Sequence, residues 1–139
     1  MRPSTLRARR SSLLPALLLA ACTTTTTVTY VPSPEQPRLD LVRGQATLER
    51  FIGLECDRLR DEGHAAGETQ VTVALDDAGL ATGAELAATS GDARIDGIIG
   101  AVAAQLRLPP RPAGVHAALL RATYRCGDDG SVRATLAPL

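Results

Sequence analysis

The residues predict an α+β fold: a small antiparallel sheet of three to four strands packed by two helices, in the order helix–strand–strand–helix–strand. Three observations carry that expectation. Val71, Val73 and Leu75 alternate with Thr72 and Ala74, the period-2 signal of a half-buried strand. Ile95, Ile98, Ile99, Val102 and Leu106 recur at helical spacing on one stripe. Between them stand two clusters of turn residues, Asp76–Asp77–Ala78–Gly79 and Ser90–Gly91–Asp92.

The first 21 residues are not expected to belong to the fold. Arg2, Arg7, Arg9 and Arg10 give a cationic start, and Leu13 to Ala21 is an apolar run too short to span a bilayer as a helix. Small residues then precede a cysteine in Leu19–Ala20–Ala21–Cys22. This is the layout of a signal peptide, and its last four residues look like a bacterial lipobox. That resemblance implies cleavage before Cys22 and lipidation of its sulfur and amine. Two or more acyl chains hold a protein stably on a membrane without spanning it. Thr23 stands where an aspartate would retain such a protein on the inner membrane, so the expected location is the outer membrane, facing the periplasm.

Residues 22–43 read as a tether. Five threonines run from Thr23 to Thr27, and Pro32, Pro34 and Pro37 follow. Such a segment favours extended conformations, and Cys22 to Arg43 could reach about 70 Å at roughly 3.3 Å per residue. Residues 44–139 are then the folded domain.

Asp40 to Gly63 is expected to form one helix, with Leu48, Phe51, Ile52, Cys56 and Leu59 on its apolar side and Glu49, Arg50, Glu55, Asp57, Arg58, Arg60 and Asp61 on a solvated one. Residues 71 to 89 make an antiparallel hairpin, in which Leu80, Ala84, Leu86 and Ala88 share the apolar face of the second strand. Asp92 is placed to cap the next helix and Asp96 to complement its dipole. Pro109, Pro110 and Pro112 are expected to end that helix. Val115 to Cys126 reads as a third strand whose parity leaves its buried face open. Asp128–Asp129–Gly130 is a turn, and Val132, Ala134 and Leu136 form a short fourth strand.

Composition narrows the function. The whole chain has fifteen basic residues, all arginine, and fifteen acidic ones; loss of the leader arginines leaves a mature charge of about −4. No basic stripe interleaves with aromatics, and Tyr30, Phe51 and Tyr124 are the only aromatic residues, so no nucleic-acid partner is expected. His64 and His116 lack metal-ligand spacing, and Ser90 has no base near it in sequence. The acidic pairs lack the alternating oxygen ligands of a calcium loop. No cofactor, no metal and no catalysis are expected. With Cys22 lipidated, Cys56 and Cys126 remain as an even pair in an exported chain, which favours a disulfide over two buried thiols. Closing a loop of this length would stabilise by about 4 kcal/mol.

The ordered set Asp77, Gly79, Ser90, Gly91, Ile95, Asp96, Leu108, Pro109 and Pro110 resembles the C-terminal domain of the TonB family of energy transducers. That family typically shows a strand, an acidic turn ending in glycine, a second strand, Ser-Ser-Gly, Leu-Asp, an amphipathic helix and an aromatic residue before Pro-Pro. Here Thr89, Ile95 and Leu108 replace the first serine, the leucine and the aromatic. The resemblance implies a protein-binding module that adds an extended segment of an envelope protein as a strand. Its binding edge is expected within Val115 to Cys126, at Leu119, Arg121, Thr123 and Arg125. The alternative is a structural lipoprotein that uses the same edges for self-association as a homodimer.

Overall fold

The computed structural model describes residues 27–139; the leader and Cys22 lie outside the described residues. The elements run β1 (Thr29–Tyr30), α1 (Leu41–Gly53), α2 (Cys56–Asp61), β2 (Ala66–Leu75), β3 (Ala81–Ala88), α3 (Ala93–Ala104), β4 (Ala117–Cys126) and β5 (Val132–Pro138). The class is α+β, with a five-stranded antiparallel sheet and three helices in place of the expected three to four strands and two helices. The sheet order is β1-β3-β2-β4-β5.

The hairpin of β2 and β3 forms because its turn is over-determined. Asp76 Oδ1 accepts from the backbone N–H groups of Ala78 and Leu80 at 2.9 Å each. Gly79 sits at φ +80°, and its carbonyl accepts from the Leu108 N–H at 2.8 Å. A side chain at 79 would meet the Leu108 carbonyl, so the position admits only glycine. Val71, Val73 and Leu75 are buried as the alternation requires. In β3 the parity breaks. The register shifts between Gln70/Val71 and between Ala74/Leu75, leaving Ala87 and Thr82 unpaired as bulges. As a result Ala81 and Ala84 are buried, Leu86 is half-buried, and Ala88 is exposed.

All the helices lie on one face of the sheet. Asp92 caps α3 by accepting from the N–H groups of Arg94 and Ile95 at 3.1 and 3.0 Å. Asp96 does more than balance the dipole: its carboxylate is buried and accepts from the Thr89 hydroxyl and from the backbone N–H and hydroxyl of Ser90. Ile95, Ile99 and Val102 enter the core, with Ile98 at its border. The prolines do not end α3. It stops at Ala104, five residues before Pro109, where the chain straightens so that Leu106 can bridge Leu39 and give its carbonyl to the Ala81 N–H at 2.9 Å.

The long first helix is broken in two. α1 is capped by Asp40, which accepts from the Arg43 N–H at 2.8 Å, and it stops at Gly53, a weak helix former like Gly44 within it. After a turn at Leu54 and Glu55, α2 re-aims Cys56 and Leu59 into the core. Phe51 is left 42% exposed on the flank. Cys56 and Cys126 form a disulfide that joins α2 to the end of β4 across 70 residues.

The second half of the expected tether is part of the fold. Thr29 and Tyr30 pair with Glu85 and Ala84 of β3, and Thr29 Oγ1 donates to Glu85 Oε1 at 2.9 Å. The Tyr30 ring lies on Gly100 of α3, where a Cβ would fall 2.6 Å from its Cζ. Buried Gln105 accepts from the Ser33 N–H at 2.6 Å and donates to the Gln36 carbonyl at 3.2 Å, while Arg38 donates to the Ala81 carbonyl at 2.6 Å. Composition marks this stretch as coil, but long-range polar contacts with α3 and β3 order it.

Candidate functional site

The four residues expected at a binding edge are not at one. Leu119, Arg121, Thr123 and Arg125 lie on β4, which pairs with β2 on one side and β5 on the other. Their side chains occupy the bare face of the sheet, opposite the helices, and their backbone groups are spent inside the ladders. The correction follows from chain length: after the Gly127–Gly130 turn, seven further residues form β5 and cover β4. That turn is held by the Gly127 N–H donating to the Ser131 carbonyl at 2.7 Å and by Asp129 accepting from the Ser131 N–H at 3.0 Å. The Ser131 hydroxyl and N–H keep the Asp129 carboxyl below its ordinary value.

β5 is therefore the outer strand on this side. Ala134 and Leu136 point into the core and Arg133, Thr135 and Ala137 onto the bare face. The Ala134 and Leu136 N–H groups point away from β4, and both are met by side chains of α1. Glu49 Oε1 accepts from Ala134 and Gln45 Oε1 from Leu136, each at 3.3 Å. Pro138 has no N–H to offer. From Ala134 to Pro138 the outward donors of β5 are thus held by long side-chain hydrogen bonds or absent, a guarded rather than a paired edge. Sequence reasoning placed Glu49 on a solvated face and overlooked Gln45. The available signal was their spacing: they sit four residues apart, each one position after Gly44 and Leu48 of the buried stripe, and so flank it.

At the opposite side of the sheet β1 covers only two residues of β3. The bare face between is polar. Arg121 pairs with Glu68 at 3.1 Å, and Thr123 and Thr135 share a hydroxyl hydrogen bond. Arg125 lies directly opposite Arg133. Glu68, Thr123, Arg125, Arg133 and Thr135 border a shallow concavity of about 560 Å³. On the helical face, an apolar groove of about 490 Å³ runs between α1 and α3 over Phe51, Ile98 and Val102.

The charge cluster around Arg58 is structural. Arg58 donates to both oxygens of Asp92, at 2.8 and 3.1 Å, and also binds Glu55 and Glu62. This ties α2 to the start of α3. Arg58 holds the Asp92 carboxyl down at about 2, with the Ile95 and Arg94 N–H groups helping, and the Arg58 guanidinium is in turn pushed up. Burial pushes the Tyr124 phenol up, and its O–H donates to the His64 carbonyl at 3.0 Å. The Ser90 hydroxyl donates to Asp96 at 2.6 Å, which leaves it a turn residue. Exposed His116 stands 3.7 Å from exposed Asp77. Among the described residues, no group of three metal-ligating side chains occurs, and no helix is long and apolar enough to cross a membrane.

No family model, curated protein or solved structure matches this chain.

Proposed function

We propose that this chain is an exported adaptor, anchored to the outer membrane through lipid on Cys22, whose folded part is a TonB C-terminal-like module that captures an extended segment of an envelope protein. The segment adds to β5 as a further strand. One observation carries the reading: two outward N–H groups two residues apart, the spacing at which a strand accepts partners, are occupied only by flexible side-chain oxygens of Gln45 and Glu49. An incoming strand's carbonyls would take the same positions with better geometry. The disulfide suits a periplasmic domain, and the leader pattern supplies the anchor. A homodimer formed through the same edge is the competing reading, since a second β5 offers the same groups.

Photo-crosslinking in intact cells tests it. A benzophenone side chain at Thr135, beside the guarded donors, is expected to capture another envelope protein, whereas one at Thr72 in mid-sheet is not. A crosslink to a second copy would establish self-association instead. Absence of any adduct at Thr135 would reject the edge as a binding site. Cys22→Ser is expected to remove the protein from the outer-membrane fraction.

A further inference from the structure

Arg125 and Arg133 face each other across β4 and β5 on the bare face of the sheet. Like charges in directly opposed positions destabilise a ladder. Arg58 reaches three carboxylates, Arg60 reaches Asp57, Arg94 reaches Glu55 and, on this same bare face, Arg121 reaches Glu68. Arg38, Arg43, Arg50, Arg107 and Arg111 have no ion pair among the described residues, so what sets Arg125 and Arg133 apart is that they stand directly opposite one another. Among the described residues no ion pair reaches Arg125 or Arg133. Glu68, the nearest acid in the ladder, pairs with Thr123 and is engaged by Arg121.

The row has a free end. Its members run from Ala66 on β2 through Arg125 to Arg133, and β5 is the outer strand, so the next position in the row lies beyond the sheet. A strand added to β5 would place one side chain there, with its Cβ about 5 Å from that of Arg133. Because Ala134 and Leu136 carry the outward N–H groups, an antiparallel partner residue opposite Arg133 falls in a non-hydrogen-bonded pair, where side chains approach closest.

We infer that the partner is an acidic extended peptide segment, carrying an Asp or Glu at the position opposite Arg133, where it completes the row Arg125–Arg133–carboxylate. The inference rests on strand addition at β5 and adds the chemistry that selects the strand. A carboxylate there neutralises a repulsive pair that the free protein tolerates, and a basic residue there would extend the repulsion to three charges.

The test uses the intact mature chain in detergent and three extended peptides of about nine residues, identical except for a central Glu, Gln or Lys. Binding is read by fluorescence anisotropy, and edge occupancy by the amide resonances of Ala134 and Leu136. The Glu peptide is expected to bind about tenfold more tightly than the Lys peptide at low salt, with the gap closing in about 0.5 M salt. Arg125→Gln and Arg133→Gln, both at exposed positions, should each narrow the gap, and Arg133→Glu should reverse the order. Equal binding of all three peptides with shifted edge amides would overturn the acidic preference while leaving strand addition standing. Still amides and no binding would overturn both. Full competition by inorganic phosphate with unshifted edge amides would show a simple anion site and overturn the peptide assignment.

Discussion

Removing the two side chains that guard β5 should make the protein a better binder and a slightly less stable one. In Gln45→Ala/Glu49→Ala the Ala134 and Leu136 N–H groups lose their only protein acceptors, both at 3.3 Å. A hydrogen bond of ordinary geometry contributes about 0.5 to 1.5 kcal/mol net, and these long ones belong in the lower half of that range, so the pair contributes about 1 to 2 kcal/mol. A partner strand joining the wild-type protein first displaces both. In the double variant it meets amides bonded only to water, and affinity should rise by about fivefold to thirtyfold. The folded state should lose a similar free energy in urea unfolding. Amide exchange at Ala134 and Leu136 should accelerate while that at Val71 in mid-sheet does not. Where no partner is supplied, sedimentation should show a growing dimer fraction. Unchanged exchange at both amides, or weaker binding of the partner segment, would refute the view that α1 stands in for a strand.

Gly100→Ala should lower stability by about 1 to 2 kcal/mol: half-burial of Tyr30 contributes about 2.5 kcal/mol at roughly 100 Å² of apolar area, offset by about 1 kcal/mol of helix propensity. The loss should appear with fast exchange at the Tyr30 amide. Cys56→Ser/Cys126→Ser should cost about 4 kcal/mol in chemical unfolding, from a loop closed across 70 residues. Asp92→Asn should cost about 1 to 2 kcal/mol near pH 7, allowing for solvent screening at the rim of the Arg58 cluster. Because the folded carboxyl lies at about 2, below the ordinary 3.8, the stabilisation is complete above the ordinary value and is lost as pH falls from there through about 2. Wild type and variant should therefore converge in unfolding free energy across that window.

Short-range signals in the sequence were enough for the hairpin, its acidic turn, the Asp92 cap, the α3 stripe and the last strand, because each rests on residues within a few positions of one another. Where long-range pairing decides, the reading failed. The tether's composition says coil, yet Tyr30 finds a glycine 70 positions on and Gln105 collects the carbonyls of Gln36 and Pro37. The parity of β3 was lost to bulges at Thr82 and Ala87 that only the partner strand reveals. The binding edge was misplaced for the same reason. Nothing local to Leu119 or Arg125 says whether another strand lies outside them, and the short run after Ser131 settles it by covering β4. Glu49 reads as a solvent-facing helix residue and Gln45 draws no reading at all, because their acceptors are used by backbone more than 80 positions away.

The cystine has a mechanical corollary. Everything between the first described residue and Cys56 (the β1 latch, the Ser33–Leu39 wrap and α1) lies outside the covalent loop closed with Cys126. Tension drawn through the N-terminus would peel these layers in sequence and stop at the crosslink. The last layer shed before that stop carries Gln45 and Glu49, so a stretched protein would retain β2, β3, β4 and β5 while presenting the outer strand with nothing in front of it.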